Sequence, residues 1–95
     1  MTLIQRKDFK NSIETFEDLL IDNIKDREVY DVDNTFIITF PSSLFIVNGV
    51  EIFCDNIKII KKHFNEDYIM FYKHNDMLVE VSFFNLREIK TYGDE

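Results

Sequence analysis

The stretch LFIVNGVEIFC, from Leu44 to Cys54, decides the fold that the sequence predicts. Asn48-Gly49 separates two runs of β-branched and aromatic residues. A type I′ hairpin turn requires positive φ at both central residues, and asparagine and glycine tolerate this best. The turn also determines which residues face each other across the two strands. We therefore expect the pairs Val47 with Val50, Ile46 with Glu51, Phe45 with Ile52 and Leu44 with Phe53.

Side chains of this hairpin alternate between two faces. One face is apolar throughout and consists of Phe45, Val47, Val50, Ile52 and Cys54. On the other face Glu51 indicates contact with water, although three apolar residues also lie there: Leu44, Ile46 and Phe53. Two arrangements would cover them. Either the sheet curls into a small barrel, or a partner protein or a second copy of the chain packs on that face.

Upstream of the hairpin, apolar residues recur with the period of a helix from Asp8 to about Asp26. They follow each other at intervals of four, three, four and four residues: Phe9, Ile13, Phe16, Leu20 and Ile24. At about 100° per residue they form one stripe, with Leu19 beside it. The opposite arc is acidic and consists of Glu14, Glu17, Asp18, Asp22 and Asp26. The sequence predicts an amphipathic helix whose N-cap is Asp8, Asn11 or Ser12.

Between helix and hairpin the apolar period changes from that of a helix to that of a strand. The segment REVYDVDN, residues 27–34, has no period and is predicted to be an acidic connector. TFIITF, residues 35–40, alternates as a strand does, and Pro41 is expected to end it because proline cannot donate to the ladder.

Downstream of the hairpin the pattern is that of further strands. Residues 55–64 suit either a strand or a short helix, and their β-branched content favours the strand. A second hairpin is predicted from YIMFYK and MLVEVSFF around the turn HND, residues 74–76. NLREIKTY, residues 85–92, is predicted to be a last short strand or a turn.

These elements predict an α+β fold for residues 1–95 as a single domain. An N-terminal amphipathic helix packs on an antiparallel meander of five or six strands, which is either open or curled into a small barrel. A chain of this length buries only about two thirds of its unfolded surface, so two halves would not be stable separately. Apolar residues make up 45% of the chain, with ten Phe, and they are sufficient for one core without a cofactor.

The residue types and their spacings exclude most kinds of catalytic and metal-binding site. Cys54, His63 and His74 do not form any of the paired spacings of a metal site. Asp31 and Asp33 imitate the start of an EF-hand loop, but the later positions lack its glycine and glutamate. With only two glycines, the chain has no phosphate-binding loop and no glycine-rich turn to supply an oxyanion hole. We expect a protein that is not an enzyme and that binds no metal or cofactor.

The expected location is the cytoplasm of a bacterial host. A single cysteine cannot form an internal disulfide, which fits a reducing compartment. The sequence has no signal-peptide pattern and no apolar run of membrane-spanning length, and we expect no contact with a membrane. The composition, without Ala or Trp and rich in Ile, Asn, Lys, Phe and Asp, is typical of an AT-rich bacterium or a phage that infects one.

The distribution of charge predicts the kind of partner. The net charge of the chain is -7, and residues 11–34 alone hold eight acids and two bases, a net of -6. Such a surface repels nucleic acids and anionic lipid and attracts basic proteins. Ile21, at the edge of the acidic arc, would serve as an apolar anchor. The predicted partner-binding residues are Glu14, Glu17, Asp18, Ile21, Asp22, Asp26, Asp31 and Asp33.

In its general character the chain resembles phage-encoded anti-defence proteins, including anti-CRISPRs and DNA mimics, and also the immunity proteins of bacterial toxins. The first resemblance implies an inhibitor that binds a basic nuclease or another nucleic-acid-binding protein. The second implies an immunity or antitoxin protein that neutralises a cognate toxin. A third alternative is a homo-oligomeric scaffold, a homodimer for example, held together through the outer sheet face.

Overall fold

The computed structural model describes residues 1–92, and they form one antiparallel sheet with short helical segments. The strands are β1 Thr2–Gln5, β2 Glu28–Val32, β3 Thr35–Val47, β4 Val50–His63, β5 Glu66–Lys73, β6 Asp76–Ser82 and β7 Glu88–Thr91. The helices are α1 Arg6–Phe9 and α2 Ile13–Asp22, and a 3-10 turn spans Phe83–Asn85. The strand order is β1-β7-β3-β4-β5-β6, with β2 paired to β3. The described residues thus contain seven strands, more than predicted, in a sheet that does not close into a barrel.

The Asn48-Gly49 turn joins β3 to β4 as the sequence predicts. Both residues have positive φ, 48° and 83°, and the four predicted pairs of the hairpin are all present. The Asn48 side chain also connects the turn to the end of the chain. Its Oδ1 accepts hydrogen bonds from the backbone nitrogens of Arg87, at 2.8 Å, and Glu88, at 3.2 Å. This side chain therefore positions β7 beside β3.

The apolar stripe of the predicted helix lies in the core. All five of its residues are buried: Phe9, Ile13, Phe16, Leu20 and Ile24. The helix itself is interrupted, because Lys10 adopts a φ of 51° and ends α1. Ser12 then begins α2 by accepting a hydrogen bond from the Thr15 backbone nitrogen at 3.1 Å. The prediction of one continuous helix from Asp8 to Asp26 is therefore wrong, and of the three candidate N-caps the structure selects Ser12 for α2.

Between helix and hairpin, two segments form strand where the sequence did not predict it. β3 continues through Pro41, because the register with β4 shifts between Thr39 and Ser43 and leaves three residues of β3 opposite Asp55 alone. Such a bulge tolerates a proline. The predicted acidic connector contains β2, which pairs with β3 over its whole length. The strand interpretation of residues 55–64 is confirmed, since β4 runs unbroken to His63.

The two faces of the central hairpin separate almost as predicted. Four residues of its apolar face are buried under the helices: Phe45, Val47, Ile52 and Cys54. Val50 is the exception at 55% exposure, because β5 pairs with β4 only from Asn56 onward and does not reach Val50 beside the turn. On the opposite face Phe53 is also 55% exposed, and Leu44 and Ile46 are half-buried. This outer face of the sheet is not covered by a helix of the described residues.

We expect Asn48 to stabilise the fold in two separable ways. Asn48→Gly keeps the positive φ but removes the side-chain hydrogen bonds to the segment before β7, so it should lower the free energy of unfolding by about 1–2 kcal/mol. Asn48→Ala should cost roughly 1 kcal/mol more, because alanine is strained at this φ. Urea denaturation measures both values. Asn75→Ala, in the exposed turn between β5 and β6, is the matched control, and Asn48→Gly as stable as the unmodified protein would contradict the prediction.

Candidate functional site

The exposed carboxylates of α2 form a row along one side of the helix. Glu14, Asp18 and Asp22 are spaced four residues apart and all three are exposed. One helical turn of 3.6 residues brings them onto the same face. A second set of exposed carboxylates lies on β2 and beside it: Asp26, Glu28, Asp31 and Asp33. We call the two sets together the acidic surface.

One carboxylate of each set acts on the same ion pair. Glu14 on the helix and Asp31 on β2 both act electrostatically on the pair of the buried Glu17 and the half-buried Lys61. Asp31 stands opposite Phe36 in the register of β2 with β3, and Phe36 is buried in the core. Asp31 therefore projects from the helix side of the sheet. Carboxylates that are 17 positions apart in the chain thus influence the same pair.

Glu17 does not belong to the exposed acidic arc, and the prediction that it faces solvent is wrong. It is only 5% exposed, and its Oε1 forms an ion pair with Lys61 Nζ at 3.1 Å. It follows Ile13 by four residues and precedes Leu20 by three, so it lies at the edge of the apolar stripe. This spacing was readable from the sequence. Glu17 fixes α2 to β4 and leaves the neighbouring carboxylates to carry the surface charge.

The ion pair of Glu17 and Lys61 does not satisfy every hydrogen-bonding atom of the buried carboxylate. The second oxygen of Glu17, Oε2, is buried without a hydrogen-bond partner in the described part of the chain. Burial raises the pKa of Glu17, against the hydrogen bond and charge of Lys61, and the charges of Glu14 and Asp31 add to the rise. Burial opposes the charge on Lys61 as well, but the hydrogen bond and charge of Glu17 raise the pKa of Lys61 overall. The positive charge of Lys61 is thus matched internally by Glu17.

Ile21 and Asp26 occupy positions that the helix prediction did not give them. Ile21 is half-buried and packs against the core, so its side chain contributes to the fold, and its role as an anchor for a partner stays a prediction. Asp26 lies beyond the end of α2 with a φ of 56°. Together with Glu28 and Pro41 it lines a shallow groove beside β2 and β3. Asp26 therefore belongs to the β2 part of the acidic surface.

A second surface feature, absent from the sequence prediction, is a groove of about 420 Å³ beside α1. Phe84, which is 84% exposed, and Arg6 are among its lining residues. The Arg6 guanidinium stacks on the rings of Phe9 and Phe83, at 4.8 Å from each centroid, and donates to the backbone carbonyls of Phe83 and Leu86. These bonds tie α1 to the C-terminal part of the chain. The charge of Arg6 therefore serves the fold.

Two titratable groups outside the acidic surface, Cys54 and His74, are buried or paired within the fold. Cys54 is buried, and burial raises the pKa of its thiol to about 12, so it stays protonated at neutral pH. His74, in the turn between β5 and β6, contacts Asp55 with 3.2 Å between Nδ1 and Oδ2. Among the described side chains, those of residues 1–92 apart from His63, three or more His, Cys, Asp or Glu groups do not converge in a way that would hold a metal ion. In the same range, the helices are too short or too polar to cross a membrane.

No protein-family model, curated protein or solved structure matches this chain. The functional interpretation therefore rests on the acidic surface and on the strands beside it.

The burial of Glu17 predicts a specific pH dependence of stability. Because the pKa of Glu17 is higher in the folded chain than in the unfolded chain, the folded state binds more protons between the two values, and stability falls as pH rises through this window. Glu17→Gln removes this proton linkage, since glutamine does not titrate. As pH rises from about 4 to 7, we therefore expect the unmodified protein to lose stability relative to the Glu17→Gln variant.

Urea midpoints measured across this pH range test the prediction. Asp18→Asn, which removes one exposed carboxylate from the same helix, is the matched control. A Glu17→Gln variant whose stability runs parallel to that of the unmodified protein would contradict the assigned environment of Glu17.

Proposed function

We propose that the protein is a small acidic, non-enzymatic inhibitor that binds a basic, nucleic-acid-handling protein. Such an inhibitor would be one of the anti-defence proteins that phages and mobile elements encode, of the anti-CRISPR or DNA-mimic type. It would act in the cytoplasm of a bacterial host. The observation that carries the proposal is that Glu14 of α2 and Asp31 of β2 both act electrostatically on Glu17 and Lys61, while Lys61 is already paired with Glu17. The exposed carboxylates of helix and strand therefore flank a lysine whose charge is matched within the fold.

The spacing of the carboxylates supports the role of a phosphate substitute. Four residues of helix advance by about 6 Å, so Glu14, Asp18 and Asp22 present one charge per ~6 Å. One strand of DNA presents one phosphate charge per ~3.4 Å of helix axis. The helix row alone has roughly half of that density. The second set, along residues 26–33, adds charge beside it and brings the surface closer to what a phosphate-binding protein recognises.

Apolar side chains within the acidic surface would supply the affinity that charge alone does not. Charges at the rim of an interface chiefly accelerate association, whereas buried apolar and aromatic anchors hold a complex together. β2 exposes Val29 at 40%, Tyr30 at 48% and Val32 at 60%. Val29 projects on the helix side beside Asp31, and Tyr30 and Val32 project on the outer side beside Glu28. We therefore assign them the anchoring role that Ile21, packed on the core, can fill only in part.

The inhibitor proposal predicts that binding depends on the position of the charges. The triple variant Glu14→Lys, Asp18→Lys and Asp22→Lys should weaken binding to the captured target by at least about tenfold. The control variant carries the same change of net charge at exposed positions outside the acidic surface: Glu51→Lys, Asp76→Lys and Glu80→Lys. Its binding should be close to that of the unmodified protein.

The measurement has two steps. The immobilised protein captures targets from bacterial lysate at low and high salt, and each captured protein is then purified and assayed on its nucleic-acid substrate with increasing amounts of the inhibitor. We expect a basic target that is inhibited at a one-to-one ratio. Equal inhibition by both triple variants, or a target whose activity is unaffected, would overturn the proposal.

The homo-oligomeric alternative depends on the outer face of the sheet. Phe53 is exposed there, but Lys73 Nζ lies 5.0 Å from the centroid of its ring, and Lys58 Nζ lies 4.4 Å from that of Tyr72. Lysine side chains that cover aromatic rings in this way keep such a face in contact with water. We expect light scattering to give the mass of a monomer up to high concentration. A stable dimer would favour the scaffold over the inhibitor.

A further inference from the structure

β2 has a free edge, as has the first part of β4, residues 50–55, because β5 pairs with β4 only from Asn56 onward. β2 pairs with β3 through five consecutive residues without a shift of register, and in the described part of the chain β3 is its sole partner strand. β6, at one end of the sheet, pairs irregularly, with a shift of register near Tyr72. β1, at the other end, has only four residues. A bulge or a short length protects an edge against further pairing, and β2 has neither protection.

The backbone of β2 is accessible along this edge. All five of its residues are exposed. In an antiparallel pair, alternate residues direct their N–H and C=O groups towards the partner strand, and the others direct theirs away from it. The outward groups of β2 are therefore available to one more strand. Added strands of this kind bind through main-chain hydrogen bonds, and their alternate side chains provide specificity.

The two faces of β2 differ in chemistry. Val29 and Asp31 stand opposite Ile38 and Phe36, which are buried beneath the helix, so they project on the helix side. On this side Asp31 and Glu14 of α2 both act electrostatically on the ion pair of Glu17 and Lys61. The outer side carries Glu28, Tyr30 and Val32, and the Tyr30 hydroxyl donates to Glu28 Oε2 at 2.6 Å. A strand that fits here has basic side chains towards Asp31 on the helix side, and on the outer side it has apolar side chains beside Tyr30 and Val32, with Glu28 at the end of that row.

Charge decides against a second copy of this chain as the occupant. Residues 26–33 contain four acids and one base, a net of -3. Two such edges would bring -3 against -3, and like charges across a strand pair are destabilising. The charges that repel a second copy attract a basic strand.

We propose that the free edge of β2 accepts an extended, basic strand of the target protein, with lysine or arginine side chains towards Asp31 on the helix side and apolar side chains beside Tyr30 and Val32. The inference rests on the proposed function, since it names the part of the target that the acidic surface recognises. It adds a requirement that charge attraction alone does not make: the target segment needs free backbone N–H groups.

A synthetic probe separates these two requirements. The probe is a capped peptide of about nine residues in which lysine and valine alternate, so that all lysines lie on one face of an extended strand. The comparison peptide has the same sequence with every backbone nitrogen methylated, which keeps the charge and removes the donors. Both are titrated into the full chain at low salt, and the backbone amide signals are followed by NMR. We expect the largest shifts at Glu28 to Val32 and at least about tenfold weaker binding of the methylated peptide.

Two variants of the full chain complete the test. Asp31→Lys should weaken binding of the unmethylated peptide by at least about tenfold. Asp76→Lys, on the edge strand β6, makes the same change of charge and should leave binding within about twofold. Circular dichroism of both variants verifies that each one folds.

The outcomes distinguish this inference from the proposed function. If both peptides bind equally and Asp31→Lys weakens both, the acidic surface binds basic chains through side chains alone, and strand addition is overturned while the proposed function stands. If Asp31→Lys has no effect, or neither peptide binds, both proposals are overturned. Largest shifts on β6 or β1 would overturn the assignment to β2.

Discussion

The rest of the structure depends on the register of the Asn48-Gly49 turn. A slip of one residue in β3 against β4 would move every buried side chain of the hairpin to the outer face. The turn prevents this, because its two residues tolerate the positive φ that the tight connection requires. The Asn48 amide extends the constraint by binding the backbone before β7. One side chain thus orients both neighbours of β3 at the end where the helices pack.

The sequence predicts the parts of the fold that local chemistry determines. The hairpin register and the apolar stripe of the helix are both confirmed, because turn conformation and helical period act over a few residues. The bulge that carries Pro41 through β3 has no such local signal, since it depends on the facing strand. The same holds for β2, whose residues are all exposed and show no apolar alternation. It is a strand because the first half of β3 offers it an edge.

The candidate site shows the same division at the level of single residues. Glu14, Asp18 and Asp22 follow from helical spacing, and the structure leaves them exposed. Glu17 was assigned to the same arc although it lies four residues after Ile13 and three before Leu20, where a side chain meets the core. The shared action of Asp31 and Glu14 on the pair of Glu17 and Lys61 was beyond sequence reasoning, because it requires the pairing of β2 with β3. The charge of the acidic surface can thus be predicted from the sequence, whereas the spatial arrangement of its carboxylates cannot.

Screening decides which property of the charge matters to a partner. At physiological ionic strength the Debye length is about 8 Å, so exposed charges further apart than this contribute little to each other's field. The net charge of -7 therefore describes solubility better than recognition. Recognition depends on carboxylates that the fold holds in fixed positions, as Glu14 and Asp31 are held where both act on the pair of Glu17 and Lys61. Because Lys61 is matched by the buried Glu17, it fixes α2 to the sheet without neutralising the surface. The ion pair thus joins helix and sheet and leaves their exposed carboxylates to act on a partner.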